Sequence, residues 1–173
     1  MIDQIVKYAA PENKNYQFSV LIPSWNNLEY LKLCIKSIQK NSKLSIQIIV
    51  IINEGKDGSK EWIEAQDNID FIYSPVNIGI CFGLNAARSL VKSDYMVYVN
   101  DDMYLLPNWD LVIAEEINIL KGKNFLISST MIEPFDTGNS CVVVRDYGRS
   151  IQDFKEDQLL SEYLNCTKSD WQG

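Results

Sequence analysis

An α/β sandwich with a mostly parallel central sheet is the fold class this sequence predicts, on three observations. Apolar stretches with strand character alternate with amphipathic helical stretches along the chain. Ile46–Ile52 is a nearly continuous β-branched run, the pattern of a strand covered on both faces. Tyr95–Val99 is similarly apolar, is expected to be buried on both faces, and stops abruptly on Asn100, Asp101 and Asp102.

Taken in order, residues 1–17 read as a surface extension with weak helical character in Ile2, Ile5 and Val6, broken at Pro11. Phe18–Ile22 is a strand ended by Pro23, and Asn26 followed by Glu29 reads as a helix start before Tyr30, Leu31, Cys34, Ile35 and Ile38. The Ile46–Ile52 strand ends on Asn53-Glu54-Gly55, ahead of a helix around Lys60–Gln66. Phe71–Tyr73 makes a short strand, 75–79 a loop, and Leu84, Ala87, Leu90 and Val91 mark a helical face. Pro107 suits a first helical turn, so Trp109–Leu120 is a helix, ended by Gly122. Phe125–Ser129 and Cys141–Val144 are two further strands, and Asp153–Leu164 is a helix running into a polar tail.

A chain of 173 residues with 46% apolar and 23% charged residues fits one soluble domain with a sizeable core. Its net charge of −7 argues against a nucleic-acid surface or a polybasic membrane anchor, which need clustered Lys and Arg. Histidine is absent, which removes Ser-His-Asp and Cys-His nucleophilic schemes and most zinc sites. Cys34, Cys81, Cys141 and Cys166 have no CxxC spacing and read as buried thiols in a reducing compartment. With no signal peptide and no transmembrane segment, the expected location is cytoplasmic.

Chemistry concentrates where strands end. Parallel strands would bring together Pro23, Ser24, Trp25 and Asn26 after the first, Asn53 and Glu54 after the second, and Asn100, Asp101 and Asp102 after the fourth. Adjacent carboxylates repel by roughly 4 kcal/mol at ~4 Å if the effective dielectric is about 20. A divalent cation, Mn²⁺ or Mg²⁺, would remove that cost and is commonly completed by substrate phosphates. An aromatic surface, a carboxylate acceptor and a metal-binding acid on one rim suit a nucleotide carrying a diphosphate. Neither GxGxxG nor GxxxxGK[ST] occurs, so no glycine loop holds the phosphates. The plainer alternative is a strand-end turn with solvated acids.

Four elements, in order and with matching spacing, resemble glycosyltransferase family 2, of GT-A fold, between Phe18 and about Leu120. Val20-Leu-Ile-Pro-Ser-Trp-Asn26 resembles the family's V-I-P-x-[YW]-N opening, and Ile49-Val-Ile-Ile-Asn-Glu-Gly55 its strand ending in D-[DN]-G. Asn77-Ile-Gly79 with Asn85 resembles its N-x-G…N loop and helix, and Asn100-Asp-Asp102 stands at its D-x-D. The resemblance implies a Rossmann-like GT-A α/β/α sandwich with residues 18–150 as a nucleotide-sugar-binding domain. Residues 151–173 would be the helix and tail of an incomplete acceptor-binding part, short or truncated. It further implies that Pro23 and Trp25 line the nucleotide pocket, that Asn53 and Glu54 meet base and ribose, that Asp101 faces the ribose or sugar, and that Asp102 binds the metal. Asn26, Asn77, Gly79, Asn85 and Asn100 complete the implied nucleotide-sugar site.

Each assignment has a plainer rival: Asn26 as helix N-cap, Trp25 as core, Gly79 as a positive-φ residue, Asn85 as a loop-holding hydrogen bonder. Asn53 and Asn100 stand where the family usually has acids, which lowers the negative charge of the pocket. The implied activity is metal-dependent, inverting transfer of a sugar from a nucleoside-diphosphate sugar, a UDP-sugar foremost, to a hydroxyl of a saccharide, lipid-linked or protein acceptor. No motif singles out a general base among Asp146, Asp153, Glu156 and Asp157. A non-catalytic nucleotide-sugar-binding fragment lacking that base is therefore the alternative, with a metal-dependent nucleotidyltransferase behind it.

Overall fold

The computed structural model describes residues 4–11, 15–120, 122 and 124–166. The chain clusters into two compact units, Met1–Leu111 and Val112–Gly173.

In the first unit five strands, β1 (Val6–Tyr8), β2 (Phe18–Trp25), β3 (Ile46–Asn53), β4 (Asp70–Ser74) and β5 (Tyr95–Tyr98), form one sheet in the order β1-β4-β3-β2-β5. β2, β3, β4 and β5 run parallel, while β1 pairs antiparallel with β4. Alternation along the strands makes two cores. Val20, Ile22, Ile48, Val50 and Ile52 pack with Leu31, Cys34, Ile35 and Ile38 of helix α1 (Leu28–Asn41) and Ile63 of α2 (Ser59–Glu64). Leu21, Ile49, Ile51 and Ile72 pack on the other face with Ala87 of α3 (Gly79–Ala87). Gly83 lets α3 approach this closely, since a Cβ there would lie 2.7 Å from Ile51 Cγ2. The result is the expected α/β/α arrangement with a mostly parallel sheet.

Several local expectations need correction. Val6–Tyr8 is an edge strand and not weakly helical; Tyr8 stacks on Phe71, an opportunity for pairing that sequence periodicity does not register. Ile2 lies outside the described residues. Pro23 does not end its strand. Leu21 O accepts Val99 N–H, so by the two-residue alternation Pro23 turns its missing donor toward the side where β5 has already stopped. β5 is the opposite edge of the sheet and is covered on one face only, leaving Met96 and Tyr98 60% and 49% exposed. The reason is placement: α3 packs over β2, β3 and β4 and leaves that face of β5 bare. Cys34 and Cys166 are buried as expected, but Cys81 is exposed and Cys141 half-buried. Cys81 precedes Gly83 by two residues, which turns it away from the packed face of α3.

The chain continues through α4 (Trp109–Ile119). In the second unit β6 (Met131–Glu133) pairs in parallel with β7 (Val142–Val144). Phe125–Ser129 is not a strand, and Leu126 is 96% exposed; pairing begins only where β7 offers a partner. The predicted Asp153–Leu164 helix is divided into a short turn at Ile151–Asp153, α5 (Glu156–Glu162) and a terminal turn at Tyr163–Cys166. Asp153 accepts from the backbone N–H groups of Arg149 and Ser150, and this local bonding competes with helix propagation. No described helix is long and apolar enough to cross a membrane.

At the amino-terminal end of the sheet sits a buried polar network absent from the sequence-based expectations. Asp70 accepts from Ala10 N at 2.7 Å and Gln47 Nε2 at 2.7 Å, with Lys92 Nζ at 3.4 Å. Gln47 also donates to Leu90 O and accepts from Ser19 Oγ and Lys92 N. Asp70→Ala would strand these buried donors and should lower stability by about 3 kcal/mol. Urea denaturation should show an earlier midpoint at unchanged m; a loss below about 1 kcal/mol would contradict this role.

Candidate functional site

The carboxyl ends of β2, β3 and β5 lie side by side, and one turn links them. β2 ends at Trp25, and Asn26 takes a left-handed conformation, φ 50°, that swings Asn27 to the helix boundary before Leu28. Two loops attach to this turn.

The first is the loop after β3. Trp25 Nε1 donates to Glu54 Oε2 at 3.1 Å, and Asn26 Nδ2 to the same oxygen at 3.2 Å. Asn26 Oδ1 in turn accepts Lys56 N–H at 2.8 Å. Glu54 itself is left-handed, φ 62°, a strained state for a residue with a side chain. Gly55 follows at φ 68° and has no room for a Cβ, which would sit 2.9 Å from the Lys60 Cβ. Asp57 completes the join: its Oδ2 accepts Leu28 N–H at 2.6 Å and its Oδ1 accepts from Ser59. Hence α1 is capped from another loop, not by Asn26, because the left-handed turn sends the Asn26 amide toward Glu54.

The second is the loop after β5. Asn27 Nδ2 donates to Asp101 Oδ1 at 3.1 Å. Ser24 Oγ lies buried beside the Asp101 carboxylate without a hydrogen bond of ordinary geometry. Cys34 Sγ donates to Asn100 O at 3.6 Å, and Tyr98 Oη donates to Asn100 Oδ1. Asp102 is exposed on the adjoining turn.

Electrostatics separate the two carboxylates that the turn holds. Hydrogen bonds from Trp25 and then Asn26 pull Glu54 below the usual carboxyl range. Burial raises Asp101, with the neighbouring Asp102 charge adding to it against the bond from Asn27. Burial and those same two acids push the Cys34 thiol up to about 12, so it stays neutral.

The implied site residues therefore divide. Trp25, Asn26 and Glu54 form one hydrogen-bonded group, and Asp101 is joined to it through Asn27. Asn53 is buried and its Oδ1 accepts Ile78 N–H at 3.0 Å, holding the loop into α3. Asn77 accepts Gly79 N–H at 2.8 Å, and Gly79 has φ 75°. Asn85 is exposed and makes no described bond to the rim. Asn27 and Asp57 were missed by sequence reasoning; Asp57-Gly58-Ser59 did carry a turn signal, but nothing in it points to α1. A recess of about 300 Å³ lined by Ile38, Ser42, Leu44 and Ile46 lies away from this rim, at the amino-terminal end of β3.

Among the described residues no three acids, cysteines or histidines converge. Asp101 and Asp102 nevertheless offer hard oxygen donors whose mutual repulsion a divalent cation would relieve, provided that a ligand and water supply the other positions.

The family model for glycosyl transferase family 2 matches residues 19–136. The chain is 25% identical over 158 residues to glycosyltransferase GlyG of Streptococcus pneumoniae serotype 4, covering 88% of this chain and 50% of that protein. Crystal structures of S. aureus TarS 1-349, alone and in complex with UDP-GlcNAc, each superpose with a TM-score of 0.54 at 17% identity. They cover 66% of this chain, and 39% and 38% of theirs. This chain thus spans half the length of the curated relative and less of the solved one.

A carboxyl lowered in the folded state adds stability above its unfolded pKa, and that contribution is lost as pH falls through the folded value. Trp25→Phe removes the leading cause of the Glu54 shift. Carboxyl carbon shifts followed against pH should show the Glu54 midpoint rise in the variant; an unmoved midpoint would mean the indole bond does not hold this carboxylate.

Proposed function

The chain belongs to glycosyl transferase family 2, and from that membership we propose that its strand-end rim binds a nucleoside-diphosphate sugar as the donor for glycosyl transfer. The observation that carries this reading is the Trp25–Asn27 turn, which ties an ionised acceptor, Glu54, and an acid pair, Asp101-Asp102, to one edge beside an exposed indole. A nucleotide presents matching chemistry: an aromatic base, donor groups on base and ribose, and an anionic diphosphate. The superposition on a protein crystallised with UDP-GlcNAc supports a uridine nucleotide as the first donor to test.

In this proposal Trp25 offers its ring to the nucleoside, Pro23 shapes the pocket floor, and Asn77 with Gly79 shapes its far wall. Asn100 holds its loop through Tyr98. Asp102, aided by Asp101, would hold a divalent cation, Mn²⁺ or Mg²⁺, which when bound offsets charge on the departing nucleoside diphosphate. The transfer itself is proposed as a single displacement: an acceptor hydroxyl attacks the anomeric carbon, its proton passes to a carboxylate base, and the nucleoside diphosphate leaves with inversion. Asp146 and Asp153 are poor choices for that base. Asp146 accepts Gly148 N–H and pairs with Arg149, and hydrogen bonds from Ser150 and Arg149 hold Asp153 down at about 2. The thiols fit a reducing, cytoplasmic setting.

Calorimetric titration with UDP and UDP-sugars, with and without Mn²⁺, tests this reading. Binding should require the metal and should weaken at least tenfold in Asp102→Ala, by loss of a charged ligand. Metal-independent binding, or a variant equal to the wild type, would overturn the metal assignment.

A further inference from the structure

The two rim acids are the central residues of a tight turn. Asn100 O accepts Met103 N–H at 3.2 Å, which leaves Asp101 and Asp102 at the two inner positions, with Asp102 exposed. A turn on the edge strand of a sheet keeps its direction only if both of its ends are fixed. Here both are fixed by one helix.

Cys34, Ser37 and Asn41 lie three and four residues apart on one face of α1, and all three are buried. Ahead of the acids, Cys34 Sγ donates to Asn100 O at 3.6 Å. Beyond them, Ser37 and Asn41 take both backbone groups of Leu105. Its N–H donates to Ser37 Oγ at 2.9 Å, and its carbonyl oxygen accepts from Asn41 Nδ2 at 2.6 Å. Ser37 Oγ spends its own proton on Cys34 O at 2.7 Å, which leaves its lone pairs to accept. Asn41 O, a carbonyl with no partner inside the helix, accepts Asn108 N–H at 3.0 Å. Asp110, at the start of α4, then accepts the N–H groups of Lys43 and Leu44 at 2.6 Å each. The segment from Asn100 to Asp110 thus advances in step with α1. Its grip is firmest at Leu105, three residues past Asp102.

We infer that Ser37 and Asn41 are positioning residues of the rim: by clasping Leu105 they fix the direction in which Asp102 presents its carboxylate to a cation. The inference rests on the nucleotide-sugar reading above. Both side chains bond to the backbone of Leu105, so they act on the acid through the chain. A hard cation is demanding about the distance and direction of its oxygen ligands, and loosening Leu105 should therefore cost metal-dependent affinity while the fold survives.

The test is calorimetric titration of UDP with Mn²⁺ into the wild type, Ser37→Ala, Asn41→Ala, Asp102→Ala and the double variant Ser37→Ala/Asp102→Ala. Ser19→Ala serves as control, since it removes a buried hydroxyl at the opposite, amino-terminal end of the sheet. Urea denaturation identifies the variants that are folded under the titration conditions. Ser37→Ala and Asn41→Ala should each bind roughly tenfold more weakly than the wild type, the scale of losing the support behind a metal ligand. Ser19→Ala should lose stability yet stay within about twofold of the wild-type affinity. Adding Ser37→Ala to Asp102→Ala should cost less than about twofold more, because the clasp acts through that acid. Amide hydrogen exchange of the wild type needs no variant: Leu105 N–H should exchange at least about 100-fold more slowly than an unprotected amide. Folded single variants with wild-type affinity, a Ser19→Ala loss as large as theirs, additive losses in the double variant, or an unprotected Leu105 amide would each overturn the inference while leaving the donor site standing. Failure of the wild type to bind UDP would overturn both.

Discussion

The left-handed turn at Asn26 is the constraint on which the rim depends. An extended residue there would carry the chain on along the β2 direction, and neither the Asn26 amide nor the Asn27 amide would reach its partner. With φ at 50°, Asn26 faces Glu54 and Lys56 on one side while Asn27 faces Asp101 on the other. Asparagine tolerates this conformation better than most residues with a side chain, and the hydrogen bonds it makes offset the strain. Glu54, also left-handed, is held by the other half of the same set.

This arrangement would let an acidic chain present the proposed site to an anion. Charge at the rim is not uniformly negative in its effect: Glu54 is stabilised as an anion by three donors, whereas burial disfavours the charge on Asp101. One acid is thus committed to accepting hydrogen bonds. The other is placed where a cation or proton is welcome, so in the proposed site the acceptor and charge-neutralising roles would fall to different strands.

The sheet and its order of elements were legible because the strand signals were strong. Ile46–Ile52 admitted little but a central strand, and the polar residues that stop β2, β3 and β5 marked the edge on which the proposed site lies. The failures have physical causes. Tyr95–Val99 looked central, yet apolar composition cannot report whether a helix covers the second face, and at Met96 and Tyr98 none does. Asn26 followed by Glu29 looked like a helix cap, because the pattern is local while the true partner of Leu28 N–H, Asp57, comes from a distant loop. Asn53 and Asn77, which the resemblance implies as ligand contacts, also carry a structural role that the sequence does not show, since their oxygens take backbone N–H groups. The Asp70–Gln47–Lys92 network escaped notice altogether, since polar residues at strand starts look solvent-facing until the packed loops are seen.

The central claim is that one turn gathers three strand ends into a single nucleotide rim. Backbone amide spectra of ¹⁵N-labelled protein, recorded as UDP and Mn²⁺ are added, test it most directly. The account predicts shifts concentrated in residues 24–28, 53–57 and 98–103, moving together with one apparent affinity. Shifts absent from those three segments, or centred instead on the recess around Ile38 and Ile46, would contradict it.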